Sequence, residues 1–238
     1  DEGYTIASSV NPKNGLMVAY DNGTINPESI PIWLTREYVT DYMTLHPNDY
    51  LNLKSVYVNQ AFDNHPPFFY TMVHFASILF GGKFSTYTVF VVNIIGFIGS
   101  CFIITKICKI LEKENLCIPT LIFYGLSMGT ISMVIYQRMY MLLTFFILLY
   151  YYLSIKFYKN DFKINTKFAV ELGIATVLGF LTQYFFAVYA LFIFAIIIIK
   201  LIKEKKYKTA INYLLLHIGY AVIGILIFVP SINHLLHS

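Results

Sequence analysis

Charge is scarce in this chain. Of its 238 residues, 17 are Lys or Arg and 13 are Asp or Glu, together 13%, where a water-soluble domain carries about 25%. With 57% hydrophobic residues and a mean hydropathy of +0.62, the composition excludes an ordinary soluble domain and points to a membrane protein. Cysteine is also rare. Cys101, Cys108 and Cys117 show no metal-ligand spacing and lie in or beside apolar runs, so they read as buried thiols. No glycine-rich phosphate loop is present. No signal peptide is visible; the chain opens on the polar pair Asp1-Glu2 and trails off in "PSINHLLHS", and it reads as a piece of a longer protein.

The charge that is there is unevenly spread. The net charge is +4, and most lysines fall in three clusters between apolar runs: Lys106, Lys109 and Lys113; Lys156, Lys159, Lys163 and Lys167; and Lys200, Lys203, Lys205, Lys206 and Lys208. The segment from Asp1 to Pro66 instead holds Asp1, Glu2, Asp21, Glu28, Glu37, Asp41, Asp49 and Asp63 against Lys13, Arg36 and Lys54. Such blocks fit positive-inside topology, not nucleic-acid binding.

The pattern predicts an all-α, polytopic membrane helical bundle. Residues 1–85 form an extracytoplasmic loop with juxtamembrane helices: it opens on Asp1-Glu2, carries the turn signals "NPKNG" and "DNGTINPESIP", and holds two amphipathic patches, "IWLTREYVTDYMTL" (with Trp33, Tyr38, Tyr42 and Leu45 near helical spacing) and "LNLKSVYVNQAF", too short to span and expected to lie on the membrane surface. Pro66 and Pro67 begin a short apolar helix to residue 80, because a missing N–H is harmless in a first turn. Residues 86–238 form the bundle, with spans at 86–108, 117–135, 138–156, 168–184, 185–202 and 209–229. If the short helix merely dips into the surface, all three lysine clusters reach the cytoplasmic side together. A chain starting outside also requires a preceding span.

Candidates for chemistry are few. Arg138, in "VIYQRMYMLL", is the one arginine in an apolar run; it is either an interfacial anchor or a clamp for a phosphate or carboxylate. Asp63 and His65, two residues apart before Pro66-Pro67, are either a plain helix start, with His65 capping it, or the wall of a reaction site. Two such residues do not define a metal site. Glu171 pairs with Lys167 one turn earlier, and His217 is a hydrogen-bonded packing residue. "NGT" at Asn22 is a glycosylation pattern only in a host that uses it.

Together, "DEGYT" at the start, "DNHPPFFY" at the end of the first region and "QRMYML" at the next outer turn resemble the GT-C membrane glycosyltransferases. The likeness is to the branch of protein O-mannosyltransferases and the aminoarabinose-lipid transferase, and it runs along the whole chain, covering about the N-terminal half of such an enzyme. The resemblance implies transfer of a sugar from a polyprenyl-phosphate donor to a protein, lipid or polymer acceptor at the outer membrane face, usually with inversion. It implies Asp1 as catalytic aspartate, Glu2 as its neighbour and Asp63 as a further catalytic carboxylate. His65, Arg138, Gln137, Tyr140, Gln183 and Tyr184 are the substrate-binding candidates, with Arg138 facing the carrier phosphate. Many relatives have His where this chain has Gln183, and Leu where it has Phe68. No cofactor is required, a divalent metal stays open, and the partners are the lipid donor, the acceptor and the bilayer, with no nucleic acid. The alternative is a lipid-linked saccharide flippase or a small-molecule transporter, although no paired broken helices are evident.

Overall fold

The apolar runs become the long helices. A computed structural model describes residues 2–12 and 35–237, the side chains of Glu2 and His237 excepted. Asp1, Trp33, the "DNGTINPESIP" turn with Asn22, and most of "NPKNG" lie outside the described residues. Within them the secondary structure is entirely helical: α1 (Glu2–Val10), α2 (Arg36–Tyr42), α3 (Leu53–Ala61), α4 (Phe68–Leu79), α5 (Tyr87–Ile110), α6 (Cys117–Leu126), α7 (Met128–Ile135), α8 (Tyr140–Lys159), α9 (Thr166–Thr182), α10 (Phe185–Lys203), α11 (Tyr207–Ile227) and α12 (Ser231–His237), with short 3-10 turns at Pro47–Asp49 and Glu114–Leu116.

Four helices, α5, α8, α10 and α11, are long and apolar enough to cross a membrane. The expected continuous span 117–135 is instead a bent pair: α6 and α7 meet at 55°. The cause is local. Ser127 is extended at φ −66°, ψ 136°, and its hydroxyl accepts from the Thr130 amide at 3.2 Å while donating to the Tyr124 carbonyl at 3.0 Å. One side chain thus satisfies groups on both sides of the break. The expected span 168–184 is α9, whose 17 residues rise only about 25 Å. Its short connections on either side still carry the chain between the two ends of the bundle, since consecutive helices joined by short loops run antiparallel.

Ion pairs gather the lysine-rich loops at one end. Lys159 reaches Glu112 at 3.8 Å, Lys156 reaches Glu171 at 2.9 Å, and Lys206 bridges Asp161 and Glu204. Glu171 therefore pairs chiefly across to α8, with Lys167 farther away at 3.9 Å. Outward faces of α10 and α11 stay apolar, with Phe185, Leu191, Phe192 and Leu226 largely exposed, as surfaces against lipid require.

At the opposite end, α1, α3 and α4 pack together. The sequence suggested a loop after Asp1-Glu2, but Glu2 begins α1, whose residues Thr5 to Val10 are all buried. Polar clamps hold it there. The Asn59 amide on α3 donates to the Ser8 and Asn11 carbonyls, each at 3.1 Å. His74 on α4, wholly buried, sits between the Ser9 carbonyl at 2.8 Å and the Tyr50 carbonyl at 3.0 Å. These contacts seat α1 over the membrane-facing helices and bring Tyr4 to the end where Arg138 lies.

Candidate functional site

The site is built where chain turns interrupt helices at the end away from the lysines. Asp63 and His65 stand in the turn between α3 and α4, anchored by the Asp63 amide donating to the Gln60 carbonyl at 3.2 Å. Asp63 Oδ1 accepts from the Asn64 amide at 2.7 Å, and its Oδ2 meets His65 Nδ1 at 3.0 Å. The two side chains are 13% and 20% exposed respectively. The cap position of α4 is Pro67 and receives no side-chain hydrogen bond. His65 therefore does not cap the helix; its ring faces the carboxylate instead.

Arg138 comes from the turn between α7 and α8. That turn is shaped by Asn93, a fully buried residue on α5, whose amide donates to the carbonyls of Met133 and Val134, each at 3.3 Å, and of Tyr136 at 3.0 Å. These are the orphan acceptors at the C-terminus of α7. Arg138 is half-buried. Among the described residues its side chain has no ion pair, and its Nε is buried without a hydrogen-bond partner. Beside it, the buried Gln137 leaves Oε1 unpartnered. Tyr140, on the first turn of α8, stacks on Tyr136 with ring centroids 6.4 Å apart and remains partly exposed.

Three tyrosines link these groups. Burial pushes the Tyr70 hydroxyl well above its ordinary range; the nearby Asp63 carboxylate pushes it further and Arg138 opposes. The same order of causes, burial then Asp63, raises Tyr4, again with Arg138 opposing. Tyr184, in the turn between α9 and α10, is raised by burial and then by Asp63. Asp63 therefore acts on hydroxyls contributed by α1, α4 and the α9–α10 turn, and Arg138 acts on the first two of them, Tyr4 and Tyr70. The Tyr70 hydroxyl, fully buried, makes no well-formed hydrogen bond to a described residue.

The periphery is more fully satisfied. Tyr184 Oη lies 2.9 Å from His234 Nδ1, and His234 Nε2 lies 3.1 Å from the Ala61 carbonyl, tying α12 to the end of α3. Gln183 is buried, and its Oε1 accepts from the Tyr184 amide at 2.7 Å, so its acceptor is spent on the start of α10. Of the carboxylates placed here by sequence, Asp63 is in the site, Glu2 heads α1 with its side chain outside the described residues, and Asp1 lies outside them.

Sequence reasoning missed Tyr4, Tyr70, Asn93 and His234 as parts of this end. Asn93 carried a signal, being the single amide in the run "VFVVNIIGF". Tyr4 and Tyr70 stand in the runs "DEGYT" and "DNHPPFFY" without having drawn a role of their own, and His234 carried no signal, because its partners are distant in sequence. Among the described residues no three His, Cys, Asp or Glu side chains come together as a metal-ligand set, and the three cysteines are free. Comparison with protein-family models, curated proteins and solved structures finds no match to this chain.

Proposed function

We propose that this chain is part of an integral membrane glycosyltransferase that moves a sugar from a polyprenyl-phosphate carrier to an acceptor hydroxyl, with inversion, at the extracytoplasmic face of a cell membrane. The observation that carries the reading is an incompletely partnered Arg138 that shares the Tyr4 and Tyr70 hydroxyls with Asp63, itself paired with His65. A guanidinium with no ion pair among the described residues invites an anion, and its planar fork matches phosphate oxygens. Lysines crowd the opposite end, which by the positive-inside tendency faces the cytoplasm and leaves this site outside. A GT-C-like architecture is part of this reading and rests on the resemblance of "DEGYT", "DNHPPFFY" and "QRMYML".

The chemistry needs three things of the site. As the acceptor oxygen bonds to the anomeric carbon, the carbon–oxygen bond to the lipid phosphate breaks and its electron pair leaves with the phosphate. Arg138 stabilises the charge that grows there. A base takes the acceptor proton; Asp1 is the residue implied by resemblance, with Glu2 beside it. Buried tyrosine hydroxyls, chiefly Tyr70, orient the sugar. No metal or cofactor enters these steps.

The flippase or transporter reading has one observation in its favour, the break between α6 and α7, since transporters often bind substrate at broken helices. Ser127 already satisfies groups at that break, and the charged and hydrogen-bonding groups gather at an end of the bundle.

The test is transfer from labelled polyprenyl-phosphate sugars by the full-length protein in membranes. Arg138→Ala is expected to reduce turnover about 100-fold or more, as loss of a transition-state donor does, with Arg138→Lys recovering only part of it. Absence of transfer from every such donor, with substrate movement across reconstituted vesicles, would replace this reading by the transporter.

A further inference from the structure

The geometry points to His65, in place of the Asp1 that the resemblance implies, as the group that accepts the acceptor's proton, with Asp63 as a positioning residue and not the base; this rests on the transferase reading above. Both oxygens of Asp63 are engaged, Oδ1 by the Asn64 amide at 2.7 Å and Oδ2 by His65 Nδ1 at 3.0 Å. An ionised carboxylate can only accept, so the proton of the neutral imidazole sits on Nδ1. The lone pair is left on Nε2, which has no hydrogen-bond partner among the described residues. Each oxygen of Asp63 thus already accepts one hydrogen bond, whereas the Nε2 lone pair of His65 accepts none from the described residues.

Three features make the pair competent. It is shielded yet reachable, with His65 20% exposed, so a hydroxyl can approach while the attraction between a forming imidazolium and Asp63 is little screened. Its frame is rigid: the next two residues are prolines of fixed φ, and the Pro67 carbonyl is held by both the amide and hydroxyl of Thr71 at 2.9 Å. The third feature is placement. The His65 and Tyr70 rings lie 6.4 Å apart, and Tyr70 also feels Arg138, so one tyrosine is common to the surroundings of the proton acceptor and the field of the cation assigned to the departing phosphate.

In the transfer step the acceptor O–H proton passes to Nε2 as its oxygen bonds to the anomeric carbon and the phosphate leaves. The imidazolium, held by Asp63, then returns its proton to water. Asp63→Asn removes the acceptor at Nδ1 and can offer an N–H in its place, which moves the ring proton to Nε2 and blocks that atom, as in other carboxylate–histidine pairs.

Two readouts on the full-length protein test this. In histidine-labelled protein, nitrogen NMR is expected to find the Nδ1–H tautomer for His65, identified by the signal lost in His65→Gln, and the Nε2–H tautomer in Asp63→Asn. In the transfer assay His65→Gln and Asp63→Asn should each lower kcat about 100-fold or more with little change in KM for the lipid donor, and the double variant should be no worse than His65→Gln. Imidazole should restore transfer by His65→Gly, which only a folded protein can show. Undiminished kcat in His65→Gln, or a tautomer unmoved in Asp63→Asn, would overturn the assignment. If the wild-type protein transfers from no lipid-linked sugar, the transferase reading fails separately. The assignment is then judged by acylation of His65 with diethyl pyrocarbonate: rapid reaction slowed by Asp63→Asn supports it, and an inert His65 overturns it.

Discussion

Adjacent glycines, Gly81 and Gly82, end α4 with backbones at φ +66° and +74°, yet an added methyl group would meet very different surroundings. At Gly81 it meets nothing within 4 Å; at Gly82 it falls 2.0 Å from the Leu45 carbonyl oxygen. The Leu45 amide also donates to the Gly82 carbonyl at 2.8 Å, so this turn binds the α2–α3 connection to α4. Gly81→Ala is expected to lose about 1 kcal/mol for left-handed backbone alone. Gly82→Ala adds an unrelievable backbone clash and should lose a further 1–3 kcal/mol or so, visible as a clearly lower melting temperature in detergent. Equal losses at the two positions would refute the close approach. At this scale the residue types around "GG" and "HPP" were legible, because turn chemistry is local. The partner of each was not.

Among the elements, the α7–α8 turn depends on a residue outside it. Asn93 supplies donors to three carbonyls that end α7, and these would otherwise be orphaned inside an apolar setting. Asn93→Leu keeps the volume nearly constant but leaves buried acceptors unpaired, at a cost of about 1–3 kcal/mol. It should also loosen Arg138, so transfer falls by more than the folded fraction does. Thermal unfolding and transfer measured on one preparation separate the two effects. Helix closeness on α5 has a related origin: a side chain at Gly96 would meet the backbone of Leu142 and Met141 at 3.3 Å, the tight packing that small residues permit in membranes. The run 117–135 looked continuous because hydropathy sums side chains and is blind to a hydroxyl that satisfies both halves of a break.

For the whole molecule, polarity of the two ends is the organising feature, and its lysine end is knit by an exposed cluster. Lys206 donates to Asp161 and holds that carboxyl below its ordinary range; it does the same, with help from Lys200, to Glu204. The two carboxylates in turn raise Lys206. The depressed carboxyls contribute stability above the unfolded carboxylate range near pH 4, and lose it as pH falls through their lower folded values. Raised Lys206 contributes below its unfolded value of about 10.4 and loses this as pH rises through the folded one. Lys206→Met should therefore lower the melting temperature at neutral pH. The gap should close on acidification below about pH 4 and shrink in high salt. A gap unchanged by both would mean that Lys206 acts through the contact of its ammonium with the Phe162 ring, over which it lies at 4.8 Å.

The sequence by itself determined that this is a helical membrane protein with its basic loops and its Arg138 turn separated by apolar spans, because hydropathy and charge act on each segment without reference to the others. It also marked Asp63, His65 and Arg138 as unusual, since ionisable groups are costly near hydrocarbon. Only the tertiary structure decided that Asp63 faces His65 and shares Tyr4 and Tyr70 with Arg138, that Asn93 shapes the arginine's turn, and that α1 is a buried helix. Each of those depends on hydrogen bonds or electrostatic contacts between residues brought together by helix packing, and the directions of side chains across an interface are not written in either chain segment alone.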